Sequence, residues 1–356
     1  MKILLRLLLK SQHQRNHSKP AQTEKGMTLI ELLIGTVMAF LIITPMLGFV
    51  VDMLNTDRRE QIKTNTEQDI QAAVDFIAQD LSQAIYIYDN NPATTSTPTT
   101  TPTGIPALLA GNFIPTNPNQ TPILVFWKRQ ILKNSLPRTA GVQPSSCNST
   151  NPCNDTYVLS LVAYYQIQET DPNSIWCQPS GRPCPTRIVR YQIQDGVRDP
   201  NSTNPDPSQR YFTSQQPSKA FNAGSTTQQG FNLSRPTERV TTGGANFDNQ
   251  QVLVNYIDHS RPVVPNNECT TALGNPTTQT GGGTPVAIPE ETLKVVNPNI
   301  NSFYACVDTQ RNLARVTIKG NSLRRLQANN ADYNPNSPAF FPTATVQVQG
   351  RGARGQ

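Results

Sequence analysis

The sequence predicts an α+β fold, a long N-terminal helix packed on an antiparallel β-sheet that carries long irregular loops. Three observations lead there. Leu32 to Val51 form an uncharged apolar run of twenty residues, LLIGTVMAFLIITPMLGFVV. From Ile62 onward, apolar residues recur at steps of three and four. Beyond residue 120, short segments alternate apolar and polar residues, separated by tracts rich in Thr, Asn, Gln, Pro and Gly.

The apolar run is the only one of its kind in the chain. As a helix it would extend about 30 Å, the thickness of a bilayer core, so a single span over about 29–51 is expected. Lys2, Arg6, Lys10, Arg15, Lys19 and Lys25 precede it against one acid, Glu24. Positive charge stays on the cytoplasmic side. This orients the N-terminus inward and places the remainder outside an inner, plasma membrane, in the periplasm or on a surface filament. A cleaved secretory signal does not fit, because the basic segment ends directly before the apolar run and no A-x-A site follows Val51.

Glu31 stands at the head of this run. An ionised carboxylate in hydrocarbon costs about 2.5–3.5 kcal/mol even on the mildest insertion scale. Either Glu31 lies at the interface or something compensates its charge. The stretch Gly26-Met27-Thr28-Leu29-Ile30-Glu31-Leu32-Leu33 resembles the class III signal of type IV pilins and type II secretion pseudopilins. The resemblance implies a pilin fold and cleavage by a prepilin peptidase between Gly26 and Met27, followed by N-methylation of Met27. Glu31 would then pair with the N-terminal amine of a neighbouring subunit, a register device for filament assembly in which pairing offsets the desolvation of both charges. Met27 stands where phenylalanine is commoner in the family. The implied parts are a leader over 1–26, a stem helix over 27–88 and an extracytoplasmic β-rich domain over 89–356.

The second half of the stem follows from periodicity. Ile62, Thr66, Ile70, Ala73, Val74, Ile77, Leu81, Ala84, Ile85 and Tyr88 form one stripe, with charged and amide residues opposite. No proline interrupts residues 46 to 91, and Asn90-Asn91-Pro92 is read as the stop. Pro45 removes one backbone bond inside the span, so a kink or melted turn is expected there, with Gly48 sharing the role.

The strands expected are Ile123–Lys128, Tyr157–Gln168, Arg187–Gln194, Gln251–Ile257, Asn312–Lys319 and Thr343–Gln349, with a weaker one over Phe303–Val307. Between them lie NNPATTSTPTTTPTG and polar tracts over about 195–250 and 259–300, read as loop. No internal repeat is evident.

All six cysteines lie in the exterior part, where oxidation is permitted. Cys147 and Cys153 bracket NSTNP, Cys177 and Cys184 bracket QPSGRP, and Cys269 and Cys306 remain. Proximity favours pairing them in that order, among fifteen connectivities. Spacings of C-x5-C and C-x6-C are wider than a zinc knuckle.

The net charge of +6 does not mark a nucleic-acid binder. Six basic residues and one acid fall in the leader, so the rest of the chain carries only +1. Lys319, Arg324 and Arg325 are read as a solvated edge. Catalysis also lacks material. His259 is the one histidine after the leader, and no G-x-S-x-G, H-E-x-x-H or phosphate-binding loop occurs. Asp195, Asp199 and Asp206 lie close in sequence but lack the spacing of a calcium loop. No enzyme, cofactor or metal is expected.

Length and loop content indicate a minor subunit, and the retained Glu31 argues against the tip position of a secretion pseudopilus. The whole N-terminal third, with the basic leader MKILLRLLLK and the closing GRGARG, resembles the pseudopilins of cyanobacterial hormogonium polysaccharide secretion, in particular the C-type. That resemblance implies a machine exporting polysaccharide for gliding motility. Its partners would be the peptidase, other pilins and pseudopilins, an inner-membrane assembly platform, membrane lipid and polysaccharide. The competing readings are a surface adhesin on a pilin stem and a minor pilin of a motility pilus. Sugar-stacking aromatics would favour the adhesin, yet the loops carry few, Phe212, Phe221, Phe231 and Phe247, with both tryptophans elsewhere, so the filament subunit is preferred.

Overall fold

A computed structural model describes residues 28–91, 104–222, 240, 247, 250–261, 263–278 and 284–351. The chain divides between residues 58 and 59 into two compact units. The described part of the first is helix from Leu29 onward.

The long helix, α1, covers Leu29–Ser82. Its apolar stripe is realised from Thr66 onward, where Thr66, Ile70, Ala73, Val74, Ile77, Asp80 and Leu81 are buried. Full burial of one such aliphatic side chain contributes about 1.5–3 kcal/mol, so this face fixes the outer half of the helix.

α1 ends six residues earlier than the stripe suggests. Ala84–Tyr88 form a strand, β1, antiparallel to β2 (Gln120–Pro137) with Tyr86 opposite Trp127 and Tyr88 opposite Val125. The expected helical end over 84–88 is therefore corrected. In AIYIY the helical and strand periods coincide over five residues, and its β-branched and aromatic side chains suit a pleated surface. The Trp127 indole donates to the buried Tyr88 hydroxyl at 3.0 Å.

β2 runs longer than Ile123–Lys128 and continues antiparallel to β3 (Cys153–Gln168), with an irregularity between Leu132 and Leu136. β4 (Thr186–Gln194) and β5 (Gln251–Ile257) complete a five-stranded antiparallel sheet in the order β1-β2-β3-β4-β5. A two-residue ribbon pairs β6 (Thr277–Thr278) with β7 (Val286–Ala287). A second antiparallel sheet contains β8 (Lys294–Val296), β9 (Phe303–Asp308), β10 (Leu313–Lys319) and β11 (Thr343–Gln349), in the order β11-β10-β9-β8. Every strand expected from the sequence is present, and four others lay in segments read as helix or loop.

One core joins the outer half of α1 to both sheets, through Ile70, Val74 and Ile77, Phe126, Val162 and Tyr164, and Phe303, Val316 and Ile318. Gly320, just after β10, permits the approach. A Cβ there would lie 2.9 Å from the Thr66 methyl and 3.3 Å from Ile70.

The cysteines pair as proximity favours. Cys147–Cys153 closes the β2–β3 connection, Cys177–Cys184 closes the β3–β4 connection, and Cys269–Cys306 ties the helical turn Glu268–Ala272 to β9.

Candidate functional site

Thr28 and Glu31 define the entrance of α1. The Thr28 backbone N–H and hydroxyl each donate to Glu31 Oε2 at 3.1 Å, while the Glu31 N–H donates to Thr28 Oγ1 at 3.4 Å. This reciprocal arrangement is a capping box, satisfying N–H groups that the first turn leaves without partners. The sequence signal was Thr28-x-x-Glu31 before an apolar run, and reading Glu31 for its charge alone overlooked it. Gly26 and Met27, with the cleavage and methylation assigned to them, lie outside the described residues.

Behind the cap, every residue from Leu29 to Glu60 is exposed, including Leu33, Val37, Phe40, Ile43, Leu47 and Val51. An amphipathic helix would hide one face, and this one hides none. It is long and apolar enough to cross a membrane. The helix continues through Pro45 and Gly48 without interruption, so the expected melted turn does not occur. The Thr44 hydroxyl donates to the Phe40 carbonyl at 2.8 Å, one turn before the proline's missing donor.

No relative is found. No protein-family model, no curated protein and no solved structure matches this chain.

The outer half of α1 is locked by a buried charge cluster. Asp80 accepts from Lys128 Nζ at 2.6 Å, from Arg190 Nε at 2.7 Å and from the Tyr164 hydroxyl at 2.7 Å. Asp80, Lys128 and Arg190 are each less than a tenth exposed. Burial pushes the Asp80 carboxyl up, yet Arg190 and then Lys128 together hold it below the usual carboxylate range.

The basic trio read as a solvated edge is not one. Arg324 is fully buried, its Nε donating to the Pro183 carbonyl at 2.7 Å and one Nη to the Pro179 and Gly181 carbonyls at 2.8 and 3.1 Å. It thus holds the Cys177–Cys184 loop. Arg325 pairs with Asp69 and covers the Tyr256 ring, and Lys319 lies 3.3 Å from the Tyr333 ring centre. Each cation has a packing partner that sequence distance concealed.

Asp258-His259-Ser260 contains the residue types of a hydrolytic relay, but the bonds run elsewhere. His259 Nε2 meets Asp332 at 3.0 Å, and the Ser260 hydroxyl donates to Asp258. Among the described residues, no group of three or more His, Cys, Asp and Glu side chains could hold a metal. Asp195 accepts from Gly196 and Tyr211, Asp199 from Asn201, and Asp206 from Ser208. Their carboxylates cap separate turns.

Three of the four loop phenylalanines lie inside the fold. Phe212, Phe221 and Phe247 are buried, the last two within the main core, and Phe231 lies outside the described residues. They pack the fold and present no stacking platform.

Proposed function

We propose that this chain is a minor pseudopilin, a structural subunit of a type IV pilus-like or type II secretion-like machine that exports polysaccharide for gliding motility in a filamentous cyanobacterium. The observation that carries the reading is Glu31 at the first turn of a helix whose membrane-length segment exposes apolar side chains all round. A plain anchor requires the apolar segment but no carboxylate. A subunit that must register against neighbours needs both.

On this reading the prepilin peptidase removes 1–26, Met27 is N-methylated, and the segment remains in the inner membrane with its N-terminus cytoplasmic. The assembly platform then lifts the subunit into a filament, where Glu31 meets a neighbour's amine. The capping box is compatible with that role, because Glu31 Oε2 holds Thr28 while its second oxygen has no partner among the described residues. The three disulfides of the β-rich part support an oxidising, extracytoplasmic setting. The adhesin reading loses support with the burial of Phe212, Phe221 and Phe247.

An in-frame deletion tests the function. Loss of secreted polysaccharide and gliding, restored by the parent gene, is the expected result. Normal secretion and motility, with a defect confined to attachment, would favour the adhesin.

A further inference from the structure

The polar face of β4 does not face water along its length. Arg190, Gln192 and Gln194 alternate along it. With Gln130 of β2, Ser218, and Gln250 and Gln251 at the start of β5, they line a cleft of about 460 Å³. That volume falls within the roughly 300–1,000 Å³ usual for small-ligand sites. Among the described residues, five of the seven that line it are glutamines, and none is a carboxylate or an aromatic ring. The described lining, one guanidinium among neutral polar side chains, offers a cation no counter-charge, and its polarity argues against a hydrophobic ligand.

A relay of bonds sets the floor. Arg190 Nη2 donates to Gln192 Oε1 at 2.5 Å, Gln192 Nε2 donates to Gln130 Oε1, and the Ser160 hydroxyl donates to the same Gln130 oxygen at 3.1 Å. With its acceptor engaged, Gln130 retains its own Nε2 donors. The side-chain amides of Gln194, Gln250 and Gln251 have no partner among the described residues. Each amide offers a donor and an acceptor, the pairing that a sugar hydroxyl requires. Charge narrows the ligand further. Behind the floor, Lys128 and Arg190 share the single carboxylate of Asp80, so the cluster retains one positive charge.

The geometry points to this cleft as a binding site for an acidic saccharide, a uronate-bearing segment of a glycan. The glycan's hydroxyls meet the glutamine amides, and its carboxylate meets the excess positive charge at Arg190. This deepens the export reading by naming a substrate class, and it rests on that reading for its biological setting.

Calorimetric titration of the full chain in detergent micelles tests it, with tetragalacturonate as probe and maltotetraose as the neutral comparison. Saturable binding of tetragalacturonate is expected, weakened by raised salt, with maltotetraose at least about tenfold weaker. Gln194→Leu and Gln251→Leu, on the rim, should each weaken tetragalacturonate binding by about tenfold without moving the thermal unfolding midpoint. No binding of either sugar, equal binding of both, or binding indifferent to the two substitutions overturns the proposal. Capture of a peptide by the cleft in place of the sugar overturns it as well. The same preparation scored for incorporation into filaments separates the two levels. A chain that assembles but binds no saccharide refutes the cleft and leaves the subunit reading intact.

Discussion

Asp80 of α1 and Arg190 of β4 are 110 residues apart in sequence and joined by a 2.7 Å bond in the interior. With Lys128 on the other carboxylate oxygen, this contact couples α1 to two strands of the sheet. Removing Asp80 leaves two buried cations without their counter-ion. Asp80→Asn should therefore destabilise the folded β-rich part by about 3–5 kcal/mol, seen as a lower urea midpoint. Because the Asp80 carboxyl is held below its ordinary range, its contribution is complete above pH 3.8 or so and is lost as pH falls through the folded value. The Asn variant should lack that part of the acid-unfolding response. An unchanged midpoint would show that the cluster is incidental.

Asp89 behaves in the opposite sense. Burial raises its carboxyl to about 6 from an ordinary 3.8, partly opposed by the Asn91 N–H. The folded state then binds a proton that the unfolded state has released. Stability should fall as pH rises from about 4 to about 6, and remain reduced above it. Asp89→Asn keeps the acceptor and removes the charge, so at pH 7 it should raise stability by about 1–3 kcal/mol. At pH 3.5 the two proteins should be nearly equal. A variant that is less stable at both pH values would contradict this.

The three disulfides should not be equivalent. Cys147–Cys153 and Cys177–Cys184 close loops of six and seven residues, and Cys269–Cys306 closes one of 37. In the chain-entropy account the short bridges contribute about 2–3 kcal/mol each and the long one about 4. Non-reducing peptide mapping should recover all three pairs, and Cys269→Ser with Cys306→Ser should lower the denaturation midpoint most. Free thiols in protein isolated under alkylating conditions would reject the framework.

Glu31 has a structural and a proposed functional role, and substitutions separate them. Thr28→Ala removes half of the capping box, costing about 1 kcal/mol at the helix entrance, and should leave filament incorporation near that of the parent. Glu31→Gln keeps an oxygen to accept from Thr28 but removes the charge. It should still reach the membrane and fail to enter filaments, as read by crosslinking to neighbouring subunits and recovery after shearing. Glu31→Val should behave likewise, and Glu31→Asp should be intermediate. Normal assembly of Glu31→Gln would mean that capping is the whole role of this residue.

Sequence patterns revealed the elements whose signals are local. The stripe over α1, the alternation in RIVRYQIQ and TATVQVQ, and the closely spaced cysteines could all be read directly. Elements decided by distant neighbours could not. Ala84–Tyr88 became a strand because β2 offered it a ladder. Arg324 resembled a surface charge because the carbonyls that surround it lie more than 140 residues away. Phe221 and Phe247 lay in low-complexity sequence whose packing partners no window could include. At the helix entrance, Glu31 was legible as a charge, while its capping bond required attention to Thr28. The glutamine cleft depends on strands from three parts of the chain meeting at one face, which no single stretch announces.

On the proposed function, this chain is processed and retained as a pilin-type subunit. Intact-mass and N-terminal peptide analysis of the membrane-associated protein tests it most directly. The expected chain begins at Met27, carries an N-methyl group and lacks residues 1–26, with processing reduced by Gly26→Ala and blocked by a bulky residue at that position. A membrane-resident chain that keeps residues 1–26, or one that begins after Val51, would contradict it.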